Sequence, residues 1–135
     1  MAIVPTTRVP CFICGDAAAL AGETPGHIDY DCARCGRLRI TGRAFHIFPP
    51  KAMATFDRLW LSRKVREIPT TRRNGIRRLV EERWLHHWRL VTLLKADHGL
   101  SDAEAEAAIA RHPGVDITGE ALLALVALDL SETRH

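Results

Sequence analysis

Four cysteines in two pairs are the residues of this chain best suited to chemistry. Cys11 and Cys14 form one C-x2-C unit, and Cys32 and Cys35 form a second one after seventeen intervening residues. Two residues between cysteines let a tight turn aim both sulfurs at one ion, and two such turns supply the four thiolates of a tetrahedral site. The spacing therefore predicts one structural zinc ion held by all four cysteines.

The surroundings of the pairs favour a metal over other cysteine chemistry. Gly15 and Gly36 each follow a pair directly, which suits a turn with positive φ whose N–H groups point at sulfur. Disulfides and a redox dithiol are disfavoured, because no secretion signal and no βαβ pattern accompany the cysteines. An iron–sulfur cluster remains an alternative, since thiolates also ligate such clusters. Four protein ligands leave no open position, so we expect a structural ion.

The chain around the second pair resembles half of a zinc ribbon. A strand enters the pair through Tyr30, and a strand leaves it through Leu38 and Ile40. Over residues 9–43, the cysteines, the two glycines and the strand pattern are similar to the zinc-ribbon superfamily. The resemblance implies about three short antiparallel strands around one zinc ion. Zinc ribbons occur in transcription and translation proteins, in nucleic-acid enzymes and in protein-binding adaptors, so the resemblance specifies no single function.

The rest of the chain has the apolar periodicity of helices. The expected helices cover residues 51–67, 75–97, 101–111 and 119–131. Asn74, Ser101 and Thr118 are the expected N-caps, and Ser101 begins a capping-box sequence. The predicted fold class is α+β, with a small four-cysteine zinc ribbon over residues 1–48 and a four-helix domain over residues 49–135.

The second of these helices is expected to be central. Its apolar stripe recurs at steps of three and four residues through Ile76, Val80, Trp84, His87, Val91 and Leu94. We expect His87 to be a core histidine with a hydrogen-bond partner, and Trp60 to be a core residue of the preceding helix. Trp88 lies off the stripe, where it is either exposed to a partner or at the edge of the core.

Charge is distributed unevenly along the chain. Residues 1–31 carry a net formal charge of −3, residues 32–95 carry +12 and residues 96–135 carry −6. Arginine outnumbers lysine 16 to 3, and its planar fork suits phosphate and carboxylate. This asymmetry indicates either a basic binding face or an internal match between basic and acidic parts.

A basic surface is the expected contact for an anionic partner. The candidate anion-binding residues are Arg37, Arg39, Arg43, Arg63, Arg72, Arg73, Arg77 and Arg78. Four of them lie within residues 70–78, next to an expected helix N-terminus, which favours phosphate. The alternatives are a solvated face, ion pairs with the acidic C-terminal helices and, beside the second cysteine pair, compensation of the thiolate charge.

Signatures of catalysis are missing from the sequence. It contains no glycine-rich phosphate loop, nucleophile elbow or catalytic-zinc motif, and the metal accounts for every cysteine. We therefore expect a protein that is not an enzyme. A DNA-reading helix-turn-helix over residues 106–128 is also disfavoured, because Pro113 lies in its turn and Glu120 takes the place of an apolar anchor.

No segment has the length of a membrane span. The longest apolar run, Ala121–Leu128, has eight residues, against about 20 for a transmembrane helix. We expect a cytoplasmic protein without a membrane partner. Because its last helix is apolar on most sides, a dimer contact there is possible.

Two functions fit these patterns. The first is a small zinc-ribbon protein that binds nucleic acid or acts as a regulator, with its arginines on phosphates. The second is an adaptor or inhibitor, for example one encoded by a mobile element, that binds an acidic surface of a host protein or nucleoprotein complex.

Overall fold

Five strands form one sheet in the order β1-β2-β3-β4-β5. In this computed structural model, which describes residues 8–74, 76–116 and 120–132, strands β1 to β4 pair antiparallel and β5 pairs parallel to β4. The strands are β1 (Arg8–Pro10), β2 (Ala17–Thr24), β3 (His27–Cys32), β4 (Gly36–Thr41) and β5 (Arg78–Val80).

Strand register brings the two cysteine pairs together. The first pair lies in the turn that Pro10 and Ala17 close, and the second lies in the turn that Cys32 and Gly36 close. Strand β2 leads from the first cysteine turn to the opposite end of the sheet, where Thr24 pairs with His27, and β3 leads back to the second cysteine turn. Both cysteine turns therefore lie at the same end of the sheet.

The described part of the chain contains six α-helices, four of which have at least seven residues. They are α1 (Gly42–Ile47), α2 (Pro50–Met53), α3 (Arg58–Val65), α4 (Glu82–His98), α5 (Asp102–Ala110) and α6 (Glu120–Glu132), with a 3₁₀ turn at Arg72–Asn74. None of the described helices is long and apolar enough to cross a membrane.

The chain divides into two compact units, residues 1–85 and 86–135. The larger buried side chains of the first unit include Ile13, Leu38, Ile40, Phe48, Met53, Leu61, Val65, Val80 and Leu85. Those of the second unit include Trp88, Val91, Leu94, Leu122 and Val126. The predicted mixture of strands and helices is confirmed. The expected three strands and four helices are corrected to five strands and six helices among the residues that the structure describes. The boundary predicted between residues 48 and 49 stays a prediction.

The helix predicted over residues 51–67 is in fact two helices. α2 ends at Met53, and α3 begins after Asp57, whose carboxylate accepts a hydrogen bond from the Trp60 N–H at 3.2 Å. An aspartate that caps a new helix N-terminus satisfies a donor that a continuous helix would have bonded internally. Trp60 is buried, as predicted.

The helix predicted over residues 75–97 is wrong in its first part. It begins at Glu82, because residues 78–80 form strand β5 beside β4, with Val80 fully buried opposite Ile40. Asn74, the expected N-cap, lies in the 3₁₀ turn well before α4 begins. Ile76, expected in the core, is 58% exposed. A short apolar run fits a strand as well as a helix, so periodicity alone does not separate them.

The remaining predictions about the helices concern the cap of α5, two aromatic residues of α4 and the last helix. The capping box of Ser101 with Glu104 is confirmed, with both reciprocal hydrogen bonds present. His87 has the predicted hydrogen-bond partner, because its Nε2 atom lies 3.4 Å from the Glu106 carboxylate, but its ring is half-buried and not fully in the core. Trp88 is buried. The cap predicted at Thr118 lies outside the described residues. The dimer contact through α6 stays a prediction.

Candidate metal centre

Four buried sulfurs converge at the end of the sheet. The Sγ atoms of Cys11, Cys14, Cys32 and Cys35 all lie within 4.8 Å of one another, and those of Cys14 and Cys32 are 3.5 Å apart. A tetrahedron with metal–sulfur bonds of about 2.3 Å has edges of about 3.8 Å. The predicted clustering is confirmed, and the donor set fits one metal ion with no solvent ligand.

Each cysteine turn ends in a glycine with a positive φ, a conformation that residues with a side chain adopt rarely. Gly15 has φ +80° and Gly36 has φ +89°. A Cβ atom on Gly15 would collide with the guanidinium of Arg58, and one on Gly36 would lie 3.0 Å from Nη1 of Arg78. Each glycine therefore permits the positive φ of its turn and also leaves room for an arginine side chain beside it.

Protons are shared unequally among the thiols. A hydrogen bond from Cys35 lowers the pKa of Cys11 to about 5, and the same bond, together with burial, raises the pKa of Cys35. Burial raises the pKa of Cys14 to about 11. The cluster thus stabilises one thiolate by means of its neighbours, and a bound cation stabilises the deprotonated form of all four.

Ser62 is a contributor to this centre that sequence reasoning missed. Its buried hydroxyl lies 3.1 Å from the Cys35 sulfur and connects α3 to the second cysteine turn. When Cys35 is a thiolate, the serine hydroxyl donates the hydrogen bond, because the sulfur then has no proton. No local pattern signals this contact, which joins residues 27 positions apart.

Replacement of Ser62 by alanine is expected to weaken metal binding about 10- to 100-fold, the range typical of partners that orient a metal ligand. Competition with a chromophoric chelator measures this affinity. Thr55→Ala is the matched control, since its exposed hydroxyl bonds the Ala52 carbonyl within the same unit. Equal affinities of Ser62→Ala and the wild type would contradict a role of the hydroxyl at the sulfur.

Two of the predicted anion-binding arginines form ion pairs with aspartates of this chain. Arg39 makes a bidentate pair with Asp29 at 2.9 and 3.0 Å. Arg77 donates to Asp31 at 2.8 Å, lies 3.5 Å from Asp29, and has a side chain that is only 9% exposed. The hydrogen bond from Arg39 is the main reason that the pKa of Asp29 is lowered. These contacts give both arginines a structural role in the sheet.

The other predicted arginines are more accessible. Arg43 pairs with Glu82 at 2.7 Å although 75% of its side chain is exposed, and Arg37 lies 3.9 Å from Asp31. Arg72 and Arg73 are exposed in the 3₁₀ turn. Arg78 is half-buried, and its Nε donates to the Arg66 carbonyl at 3.2 Å. The structure thus distributes the eight predicted arginines over several environments.

A basic groove lies between the second cysteine turn and α3. Arg34, Arg63 and Arg66 line an open groove of about 540 Å³, which we call the knuckle groove. Its other lining residues are Asp57, Leu59, Trp60 and Ser62. Arg34 and Arg66 also line an adjoining depression of about 370 Å³ beside Cys32. Of the predicted anion-binding residues, Arg63 lines this groove.

Comparison of the chain with protein-family models, curated proteins and solved structures finds no match.

Proposed function

We propose that this protein is a small zinc-binding protein that binds nucleic acid or acts as a regulator, with a basic surface of its first unit in contact with phosphates. The knuckle groove is the observation that carries this proposal, because it places three arginines on a frame fixed by the metal centre. Residues 1–85 contain fifteen basic and eight acidic residues, a net formal charge of +7. A charge of this sign attracts a phosphate backbone.

Zinc is the proposed ion. Four thiolates with tetrahedral spacing are the donor set of structural zinc sites. When bound, zinc supplies folding energy and no catalysis, since the cysteines fill its coordination shell. We accordingly propose that the protein is not an enzyme.

The groove arginines are available for exchange with phosphate. Arg34 pairs with Asp16 at 3.1 Å, but the two side chains are 45% and 56% exposed. Ion pairs with this exposure contribute only about 0 to 1 kcal/mol, so a phosphate can replace the carboxylate at little cost. Arg63 and Arg66 are exposed near the end of α3, where their forks can contact successive phosphates.

Reversal of the groove charge is expected to weaken nucleic-acid binding steeply. Three phosphate contacts contribute a slope of about 2.7 to the dependence of log K on log salt. The triple variant Arg34→Glu/Arg63→Glu/Arg66→Glu should lose most of this slope and about 100-fold in affinity at about 50 mM salt. Fluorescence anisotropy with random duplex and single-stranded oligonucleotides, at about 50 and about 200 mM salt, measures both quantities.

A charge-matched control separates the groove from general electrostatics. Arg8, Lys51 and Arg83 are exposed residues of the same unit that do not line the groove. Their triple replacement by glutamate changes the net charge equally and should cost much less affinity. If both triple variants bind alike, or the wild type binds no oligonucleotide at the lower salt, the groove is not a nucleic-acid interface.

Leu59 favours a second candidate function, a protein-binding adaptor. It lines the knuckle groove and is 61% exposed, which offers an apolar contact beside three arginines. An acidic protein surface with an apolar centre would complement this arrangement. A pull-down from nuclease-treated lysate should then recover a partner that Leu59→Ser loses. A partner that the wild type recovers from untreated lysate but not from nuclease-treated lysate would contradict the adaptor function, because nucleic acid would then mediate the interaction.

A further inference from the structure

We propose that residues 71–73, 76 and 77, here called the arginine loop, contact the minor groove of A·T-rich duplex DNA, with Arg72 and Arg73 in the groove and Ile76 as an apolar wedge between base pairs. The inference rests on the proposed nucleic-acid function and names the form of nucleic acid that this chain recognises. It follows from the anchoring of the loop, the backbone of Ile76 and the chemistry of the loop side chains.

The base of the arginine loop is fixed to the sheet. Thr71 and Arg77 form an antiparallel bridge, and the Ile76 N–H donates to the Thr71 carbonyl at 3.0 Å. Besides its ion pairs, the buried Arg77 donates to the carbonyls of Tyr30 and Leu38 at 3.2 and 3.4 Å. These contacts fix Thr71 and Arg77 at the sheet, and Ile76 is the residue directly before the fixed arginine.

Ile76 has a backbone that is unfavourable for its side chain. Its φ is +59°, in the left-handed region, where β-branched residues are rare. Burial in the core does not compensate this strain, since the side chain is 58% exposed. The hydrogen bond of its N–H to Thr71 accounts for the backbone, but no burial accounts for an exposed β-branched side chain at this φ, which points to contact with a partner.

The neighbouring side chains specify the partner. Arg72 and Arg73 are exposed in the same loop, so guanidinium groups accompany the isoleucine. Many minor-groove proteins combine arginines in the groove with an apolar residue, of which isoleucine is one example, that unstacks a base step and kinks the duplex. The narrow minor groove of A·T tracts has an enhanced negative potential that attracts arginine. A-form RNA has a wide, shallow minor groove, which fits this loop poorly.

Duplexes labelled with a fluorescent donor and acceptor at their ends test the proposal with the zinc-loaded full chain. The wild type should bind an A·T-rich duplex about tenfold more tightly than a G·C-rich one and should shorten its end-to-end distance. Arg72→Ala/Arg73→Ala should abolish the A·T preference. Ile76→Gly and Ile76→Asn should abolish bending, and Ile76→Gly should also raise the melting temperature, because glycine accepts positive φ.

The outcomes separate this inference from the function on which it rests. If the wild type binds no nucleic acid at about 50 mM salt, the proposed function itself fails. If binding depends on the knuckle groove but Ile76→Gly bends the duplex as the wild type does, the arginine loop is not a wedge. Equal affinity for both duplexes, or tighter binding of single strands or RNA, would likewise overturn the assignment.

Discussion

Replacement of Cys35 by serine is expected to unfold the first unit of this protein at physiological temperature. Cys35 is fully buried, contributes one of four converging sulfurs and contacts Ser62 of α3. Structural zinc contributes about 10 to 16 kcal/mol in small domains, so the loss of one ligand should cost on the order of 5 kcal/mol. That cost is comparable to the whole stability of a typical domain, which is about 5 to 15 kcal/mol.

Thermal unfolding followed by circular dichroism, with and without a chelator, measures this effect. Ala33→Ser is the matched control, because it places the same side chain at an exposed position in the same turn. The control should keep the wild-type melting temperature and its sensitivity to chelation. A Cys35→Ser protein that melts like the wild type would show that the sulfurs do not act as one metal site.

Replacement of Asp29 by alanine should have the second largest effect, a loss of about 3 kcal/mol of unfolding free energy. Its carboxylate makes the bidentate pair with Arg39 and lies 3.5 Å from the buried Arg77. Its removal takes away the carboxylate paired with Arg39, whereas Arg77 keeps Asp31 at 2.8 Å, so the expected loss lies at the lower end of the range for a broken buried pair. Chemical denaturation of the metal-loaded protein measures the loss. Asp16→Ala, which breaks only the exposed pair with Arg34, should cost less than about 1 kcal/mol.

The contribution of Asp29 should also depend on pH. Because its pKa is held below the ordinary value of 3.8, the stabilisation is fully present above that pH and is lost as the pH falls through the folded-state pKa. The difference in stability between the wild type and Asp29→Asn should therefore be constant near neutrality and should shrink in acid. A difference that persists unchanged in acid, or an Asp29→Ala protein as stable as the wild type, would contradict the ion-pair account.

Features encoded by short stretches of sequence were predictable. The cysteine turns depend on residues two apart and on a following glycine, and the capping box depends on Ser101 and Glu104. Such patterns determine local geometry whatever the rest of the chain does. They were sufficient to identify the candidate metal ligands and the start of α5.

Features that depend on distant contacts were not predictable in the same way. Strand β5 forms because β4 offers an edge some 40 residues earlier in the chain, and the same pairing places Arg77 beside Asp31. The sequence alone does not distinguish an arginine that pairs with an aspartate inside the protein from an arginine that is free to bind a phosphate. The contact of Ser62 with Cys35 likewise requires α3 to pack on the second cysteine turn. Tertiary contacts of this kind override local propensity.

Native mass spectrometry of the intact chain, coupled to elemental analysis, tests the metal centre most directly. We expect one zinc ion per chain, and four thiols that resist alkylation until a chelator removes the metal. Purified protein that contains no metal under zinc-replete conditions, or whose four thiols react freely, would contradict it. Iron with labile sulfide in place of zinc would overturn the assignment of the ion.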